Sequence, residues 1–194
     1  MTEPRPMLMN LPDVIETDRL VIQIPKVGDG KAVNLAIQAS LPELRRWVGW
    51  VHPVPSVDDS EEFVRRSIGQ WYLRSQFSFL VRTKASLEVI GATGFHAIDW
   101  KLGRFETGYW CHTAHSGKGY TTEATRAMTK YAFDHLNATR LEIRCDAENV
   151  RSRKIPERLS YTLEAQLKHY NRRFDDNSFG TQLIYARSDA NGID

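Results

Sequence analysis

The segment that most constrains the fold joins a predicted strand, residues 104–112, to a predicted helix that ends near residue 136. Gly117 and Gly119 lie between the two elements. Two glycines allow a tight turn that leaves backbone N–H groups free at the start of the helix, and such groups bind anions. Small or apolar residues recur along the helix at intervals of three and four, as on one helical face: Tyr120, Ala124, Ala127, Met128, Tyr131 and Ala132. The segment therefore predicts an anion site between a strand and a helix.

Three kinds of phosphate-binding loop place glycines near the start of a helix. A Walker loop requires Ser or Thr directly after its Lys, but Gly119 follows Lys118, and His112 occupies the position of the earlier glycine. A dinucleotide-binding loop requires a third glycine where this chain has Thr122, and no βαβ repeat surrounds it. The remaining possibility is a diphosphate held by backbone amides at the start of the helix. Coenzyme A carries such a diphosphate.

Four motifs, taken together, resemble the GNAT superfamily of acetyl-CoA-dependent N-acetyltransferases; they read EVIGATGF, FETGYW, GKGYTTEA and AENVRSRKIPERLSY. Two more, ETDRLVIQIP and LPELRRWVGW, are similar to the RimJ/RimL group, which acetylates the N-termini of ribosomal proteins. The resemblance covers nearly the whole chain. It implies an α/β (α+β) fold, a single domain with a central mixed, mostly antiparallel sheet flanked by helices. It also implies acetyl-CoA as the cosubstrate and no metal.

The composition fits one globular domain with a sizeable core, since 41% of the 194 residues are hydrophobic and 26% are charged. We expect residues 1–12, which include three prolines, to form a flexible arm and residues 13–194 to form one N-acetyltransferase domain. The formal charge of +2 is too small to indicate a nucleic-acid partner. We see neither a signal-peptide pattern nor a long apolar run, so we expect a cytoplasmic protein without a membrane partner.

Local patterns predict the order of the elements. We expect strands at residues 19–25, 77–83, 88–99, 104–112, 141–147, 161–170 and 180–186. Besides the helix that follows the glycines, we expect helices at residues 31–39, 41–50, 61–73 and 150–159. Ser60 is the expected cap of the third helix, and Tyr72 is expected in its apolar stripe. Pro156 is expected to interrupt the last helix.

The strand before the glycines carries our candidate base. Alternation places Glu106, Gly108, Trp110 and His112 on one face of that strand. A carboxylate there lies within one strand length of the predicted anion site, where it can take a proton from an amine through water. The resemblance implies this role for Glu106. The alternative is a surface glutamate paired with an arginine.

Asn149 and Ser152 lie between a predicted strand and a predicted helix, where both can simply cap the helix. The resemblance implies instead that Asn149 holds the pantetheine arm of the coenzyme and that Ser152 protonates the leaving thiolate. Tyr161 is a second donor within reach by the same analogy, and it is also our candidate for contact with the substrate.

The resemblance assigns the remaining coenzyme contacts mainly to the backbone. Amides of Trp110, Cys111 and His112 would face the pantetheine arm. The diphosphate would be held by Gly117, Lys118, Gly119, Tyr120, Thr121 and Thr122, and Lys118 and Arg153 could add positive charge. The chain departs from the family at Ser116, where Gln or Arg is usual, and at Thr121, where Gly or Ala is preferred.

The acceptor is the least constrained part of the prediction. Trp47 and Trp50 belong to the region that borders the acceptor groove in this family, although aromatic residues at helical spacing usually belong to the core. The first choice of acceptor is a ribosomal-protein N-terminus, and the alternatives are a polyamine, an aminoglycoside or a non-catalytic acetyl-CoA-binding role. His112 and His115 lack further ligands for a metal site. Family members suggest a homodimer.

Overall fold

The computed structural model describes residues 4–193, which form an eight-stranded sheet and five α-helices. The strands are β1 (Val14–Glu16), β2 (Leu20–Gln23), β3 (Phe77–Thr83), β4 (Val89–Asp99), β5 (Arg104–Cys111), β6 (Arg140–Asp146), β7 (Thr162–Arg172) and β8 (Phe179–Arg187). The helices are α1 (Gly30–Gln38), α2 (Leu41–Trp47), α3 (Val57–Leu73), α4 (Tyr120–His135) and α5 (Val150–Arg158). Short 3₁₀ turns occupy Pro6–Leu8, Gly49–Val51 and Thr113–His115.

The strand order in the sheet is β1-β2-β3-β4-β5-β6-β8-β7, and neighbouring strands are antiparallel except for β5 and β6. This confirms the predicted single α/β domain with a mixed, mostly antiparallel sheet. Strand β1 was not predicted, because its three residues are too few to show an alternating pattern. Pro156 lies inside α5 without ending it, so the expected interruption of that helix was wrong.

The parallel junction between β5 and β6 is paired along only part of its length. Arg104, Phe105 and Glu106 lie opposite Arg140, Leu141 and Glu142, and we call this the paired half. Beyond Glu106, β5 continues to Cys111 beside β4, while β6 continues to Asp146 beside β8. Residues 107–111 and 143–146 therefore diverge without pairing to each other, and we call this the open half.

Each face of the sheet has its own apolar core. One core packs α4 and α5 against the sheet and contains large buried rings such as Phe79, Phe95 and Phe105. The other packs α1, α2 and α3 against the opposite face, where Val33 and Val64 are buried. Burial of a large apolar side chain stabilises a fold by about 1.5–3 kcal/mol. The two cores therefore hold helices in place on both sides of the β5–β6 junction.

Helix α3 begins before its predicted cap. The Ser56 hydroxyl accepts the N–H of Asp59, and the Asp59 carboxylate accepts the N–H of Ser56, which together form a capping box. Ser60 is buried in the first turn and donates to the carbonyl of Ser56. The prediction of Ser60 as the cap was wrong because the capping box begins directly after Pro55. Tyr72 is 66% exposed, so its place in the apolar stripe was also wrong.

The N-terminal segment contacts the domain at two points. Arg74 donates to the carbonyl of Met9 at 2.8 Å, and the Tyr131 hydroxyl donates to the carbonyl of Pro12 at 2.8 Å. The domain boundary at residue 12 stays a prediction, and residues 1–3 and 194 of the predicted arm and domain lie outside the described residues. Between residues 4 and 193, no helix has the length and apolar character needed to cross a membrane.

Candidate active site

A cavity of about 870 Å³ runs through the open half of the β5–β6 junction. Glu106, Gly108 and Trp110 line it from the face that α1, α2 and α3 cover. Tyr109 and Ser152 line it from the face that α4 and α5 cover. A molecule in this cavity therefore contacts residues from both faces of the sheet.

Both carboxylate oxygens of Glu106 have a charged or titratable neighbour. Oε1 is 3.1 Å from Nε2 of His96, and Oε2 is 3.1 Å from Nε of Arg144. The Glu106 side chain keeps 18% of its exposure and lines the cavity. The pairing with arginine that we considered as an alternative is therefore present, and it coexists with a position on the cavity wall.

The Glu106–Arg144 contact belongs to a chain of ion pairs across the paired half. Glu142 lies between Arg144, at 2.9 Å, and Arg140, at 2.7 Å, and Arg140 also contacts Glu164 at 2.6 Å. Glu142 is only 7% exposed, although strand alternation places it on the face opposite the core residues Leu141 and Ile143. Burial alone would raise the pKa of Glu142, but Arg140 and Arg144 outweigh burial and hold the pKa below its usual value.

Asn149 caps helix α5, since its Oδ1 accepts the N–H of Ser152 at 3.1 Å. The capping alternative thus holds for Asn149, while the Ser152 hydroxyl is directed elsewhere. It donates to the hydroxyl of Tyr109 at 3.3 Å, and the Tyr109 hydroxyl donates to the carbonyl of Ser152 at 3.1 Å. Burial raises the pKa of Tyr109, so this hydroxyl keeps its proton.

Pro156 explains why Tyr109 is needed. In a continuous helix the carbonyl of Ser152 would accept the N–H of residue 156, but proline has no N–H. The Tyr109 hydroxyl supplies the missing donor, and α5 continues through Pro156. Sequence reasoning missed Tyr109, although a proline inside a predicted helix was a signal that a carbonyl one turn earlier needs another donor.

Another buried polar atom lies in the open half. Thr107 lines the cavity and is 1% exposed, and its hydroxyl oxygen has no hydrogen-bond partner among residues 4–193. A buried hydroxyl without a partner costs about 1–3 kcal/mol. This atom therefore fits a cavity that receives a polar ligand.

The glycine loop leaves a row of backbone donors unused. Gly117 and Gly119 have φ values of +77° and +81°, a conformation that favours glycine. In the described part of the chain, the N–H groups of residues 117–122 donate no hydrogen bond. They lie directly before and within the first turn of α4, where the helix dipole favours an anion.

The loop is braced by the turn between β1 and β2. Arg19 donates to the carbonyl of Lys118 at 3.1 Å and lies 2.6 Å from the Glu123 carboxylate. Its guanidinium also lies 4.6 Å from the centre of the Tyr120 ring. Thr17 donates to Glu123 as well, so two residues before β2 hold the first turn of α4. Sequence reasoning did not assign this brace.

The amides of residues 110–112, which were predicted to face a coenzyme, do not all point the same way. The N–H of His112 donates to the carbonyl of Ile90 at 2.8 Å. Backbone groups alternate between the two neighbours of a strand, so the N–H of Trp110 also points towards β4. The Cys111 N–H points towards the open half, and of the three it is the one available to a ligand there.

The other predicted site residues are divided between the cavity and its surroundings. Trp47 and Trp50 line the cavity, and the Trp50 ring lies 6.0 Å from the Trp110 ring. Tyr161 is 5% exposed and its hydroxyl contacts Thr129 at 2.6 Å, so it does not reach the cavity. Arg153 donates to the carbonyl of Ala147 and also lies outside the cavity wall.

The two loop histidines contact each other, with ring centres 5.4 Å apart for His112 and His115. No group of three or more metal-binding side chains occurs within residues 4–193. Cys111 and Cys145 are free thiols. Burial raises the pKa of Cys145 to about 11, so its thiol stays protonated at neutral pH.

Comparisons with known proteins agree with this fold. Residues 19–162 match the family described as Acetyltransferase (GNAT) domain. An uncharacterized N-acetyltransferase, p20 of Bacillus licheniformis, is 30% identical over 82% of this chain and 88% of its own length. The ribosomal-protein-serine acetyltransferase of Escherichia coli is 25% identical over 74% of this chain and 78% of its own. A solved structure also resembles this chain: RimL, a ribosomal L7/L12 alpha-N-protein acetyltransferase, in complex with coenzyme A. It superimposes with a TM-score of 0.84 at 19% identity and covers 90% of this chain and 97% of its own.

Proposed function

The chain belongs to the GNAT acetyltransferase family, and from this premise we propose that it transfers the acetyl group of acetyl-CoA to a protein N-terminus. The observation that carries the proposal is the cavity through the open half of β5 and β6. Residues from both faces of the sheet line it, with Glu106 on one wall and Ser152 on the other. Two substrates can therefore meet there from opposite sides.

The free N–H groups of residues 117–122 support a coenzyme diphosphate at the start of α4. From there, the pantetheine arm enters the open half, where the Cys111 N–H and the Thr107 hydroxyl have no partner among the described residues. Asn149, which caps α5 and lines the cavity, holds the arm in place. This orientation directs the thioester between Glu106 and Ser152.

The reaction is a direct transfer in a ternary complex. The ammonium group of the acceptor loses a proton to Glu106 through water, because only a neutral amine can attack. The amine nitrogen then bonds to the thioester carbonyl carbon, and the carbon–sulfur bond breaks with its electron pair on sulfur. Ser152 supplies the proton that the thiolate takes up. Because a hydroxyl is a weak acid, the larger contribution of Ser152 is to position the leaving sulfur.

The choice of acceptor follows from the relatives. One is named as a ribosomal-protein-serine acetyltransferase, and RimL is named as an acetyltransferase of a ribosomal α-amine. An α-amine has an ordinary pKa of about 8, so it loses its proton more easily than a lysine side chain with about 10.4. Trp47 and Trp50 give the acceptor side an aromatic wall. We further propose that the protein acts as a cytoplasmic homodimer, as the family resemblance implies.

The proposal is tested by measuring thiol release from acetyl-CoA with four kinds of acceptor. They are a peptide with a free N-terminal serine, a lysine-containing peptide with a blocked N-terminus, a polyamine and an aminoglycoside. We expect acetylation of the free N-terminus, identified by mass spectrometry of the peptide. Turnover with only the polyamine or aminoglycoside would replace the protein N-terminus by a small-molecule acceptor. Binding of acetyl-CoA by calorimetry without any turnover would indicate a non-catalytic role.

Replacement of the carboxylate tests the role of Glu106. Glu106→Gln should lower kcat by about 10²-fold and change its pH profile, since general base catalysis typically contributes that much. The KM for acetyl-CoA should stay close to that of the wild type. Glu164→Gln is a matched control, because Glu164 belongs to the same chain of ion pairs but does not line the cavity. An unchanged pH profile of kcat in Glu106→Gln would remove Glu106 from the proton transfer.

A further inference from the structure

A histidine lies directly beside the proposed base. His96 on β4 is the cross-strand partner of Glu106 on β5, so both side chains leave the same face of the sheet. Nε2 of the imidazole is 3.1 Å from Oε1 of the carboxylate. A carboxylate can only accept, so Nε2 carries the proton of this hydrogen bond. In a neutral imidazole, Nδ1 is then the nitrogen with a free electron pair.

The orientation of the ring depends on Gly108. A Cβ atom at this position would lie 3.2 Å from Cε1 and 3.9 Å from Nδ1 of His96. The missing side chain thus leaves room for the edge of the ring that carries Nδ1. Gly108 lies in the open half of β5, whereas Glu106 is the last paired residue. The free nitrogen is therefore on the side where the cavity passes between the strands.

The imidazole is easier to reach than the carboxylate. The His96 side chain is 43% exposed, compared with 18% for Glu106. Among the described residues, Nδ1 has no hydrogen-bond partner, whereas Oε1 of Glu106 is hydrogen-bonded to His96 and Oε2 is ion-paired with Arg144. Both residues line the cavity. An amine that enters from the acceptor side has access to His96 Nδ1 without displacing Arg144 from Glu106.

We propose that His96 relays the proton of the acceptor amine to solvent while Glu106 holds the imidazole, in place of a water molecule between the amine and Glu106; this rests on the proposed N-acetyltransferase function. The ammonium group transfers its proton to Nδ1, which turns the imidazole into an imidazolium. Glu106 stabilises that cation through Nε2–H. The neutral amine attacks the thioester, and the imidazolium later returns the proton to solvent through its exposed edge. No oxidant or further reactant is needed.

The charged groups around the relay favour this direction of transfer. Glu106 faces His96 from β5, Arg144 lies behind the carboxylate on β6, and Asp59 and Arg66 line the same cavity from α3.

His96→Gln tests the relay in the full-length protein with acetyl-CoA and the serine peptide. The amide nitrogen of glutamine can still donate to Glu106, but the side chain cannot accept a proton. We expect kcat to fall by about 10²-fold with a changed pH profile and an unchanged KM for acetyl-CoA. His169→Gln is the matched control, because His169 lies on β7 outside the cavity. Wild-type kcat and an unchanged pH profile in His96→Gln would overturn the proposal.

Rescue separates a relay from a purely structural role. In His96→Ala, added imidazole should restore a measurable part of kcat, and the rescue should follow the concentration of neutral imidazole. A folded His96→Ala variant that imidazole does not rescue would count against the relay. If the wild type acetylates none of the amines, the proposed function fails. In that case, ¹⁵N NMR of histidine-labelled protein with coenzyme A still tests the tautomer of His96. The relay requires the Nε2–H tautomer, and a dominant Nδ1–H tautomer would contradict it.

Discussion

The two halves of the β5–β6 junction use the same pair of strands for different purposes. In the paired half, three residue pairs join the strands, and the side chains of Glu106, Arg140 and Glu142 have charged partners within the protein. In the open half, the strands diverge, and the Thr107 hydroxyl is buried without a partner among the described residues. The charged side chains of the paired half thus pair within the protein, whereas the open half leaves a buried polar atom for a ligand.

Glu106 lies at the boundary between the two halves. Its position in β5 pairs with Glu142, and its carboxylate contacts both Arg144 and His96. The ion pairs of the paired half therefore hold the carboxylate that faces the open half. We therefore expect stability to depend mainly on the first half, and the proposed coenzyme binding and transfer to depend mainly on the second.

Glu142→Gln should give the largest effect, a loss of about 2–3 kcal/mol in the free energy of unfolding at pH 7. The substitution leaves Arg140 and Arg144 without the buried carboxylate that they share. The folded-state pKa of Glu142 is lowered, so its contribution is present above the ordinary value of 4.5 and is lost as pH falls through the lower, folded-state value. Urea unfolding at pH 7 and at acidic pH should therefore show a difference between variant and wild type that shrinks at low pH.

Glu62→Gln is the control for this measurement, because Glu62 is a surface residue of α3 with 75% side-chain exposure. It should change stability by less than about 0.5 kcal/mol. A Glu142→Gln protein as stable as this control would show that the paired half does not depend on its buried carboxylate.

Tyr109→Phe should have an intermediate effect, a destabilisation of about 1–2 kcal/mol, because the carbonyl of Ser152 loses its donor. Pro156→Ala in the same chain restores an N–H that can bond to this carbonyl within α5. The double variant should therefore be more stable than Tyr109→Phe alone, and thermal unfolding of all four proteins measures the coupling. Additive effects of the two substitutions would contradict the link between Tyr109 and Pro156.

Glu123→Gln should have the smallest effect. It weakens the brace between Arg19 and the first turn of α4 while it leaves the loop amides intact. We expect acetyl-CoA to bind about threefold more weakly, as measured by calorimetry, which corresponds to about 0.7 kcal/mol. Glu16→Gln, which changes an exposed carboxylate on β1 that pairs with Lys84, should leave the affinity unchanged. Equal affinities in both variants would show that the loop does not need its brace.

Local sequence patterns were sufficient to predict the helices and strands, but not the partners of their side chains. The glycine loop and α4 could be predicted because turn conformation and helical period depend on neighbouring residues. The burial of Glu142 could not be predicted, because it depends on ion pairs with arginines on the same face of β6. The contact of His96 with Glu106 could not be predicted either, since the two residues become neighbours only through the β4–β5 pairing.

The same reasoning applies to the site. Ser152 stood out because it follows a strand, and Tyr109 did not because its role depends on a proline in a distant helix. The start of α3 was misplaced because two capping patterns lie within a few residues, and only the hydrogen bonds of Ser56 decide between them.

The proline inside α5 also has a consequence for the evolution of this chain. Because Pro156 removes a donor that Tyr109 replaces, the two positions are not free to change independently. Among homologous sequences, we expect a tyrosine at the first position to accompany a proline at the second. Lineages that regain an ordinary helical residue there should tolerate phenylalanine on the strand.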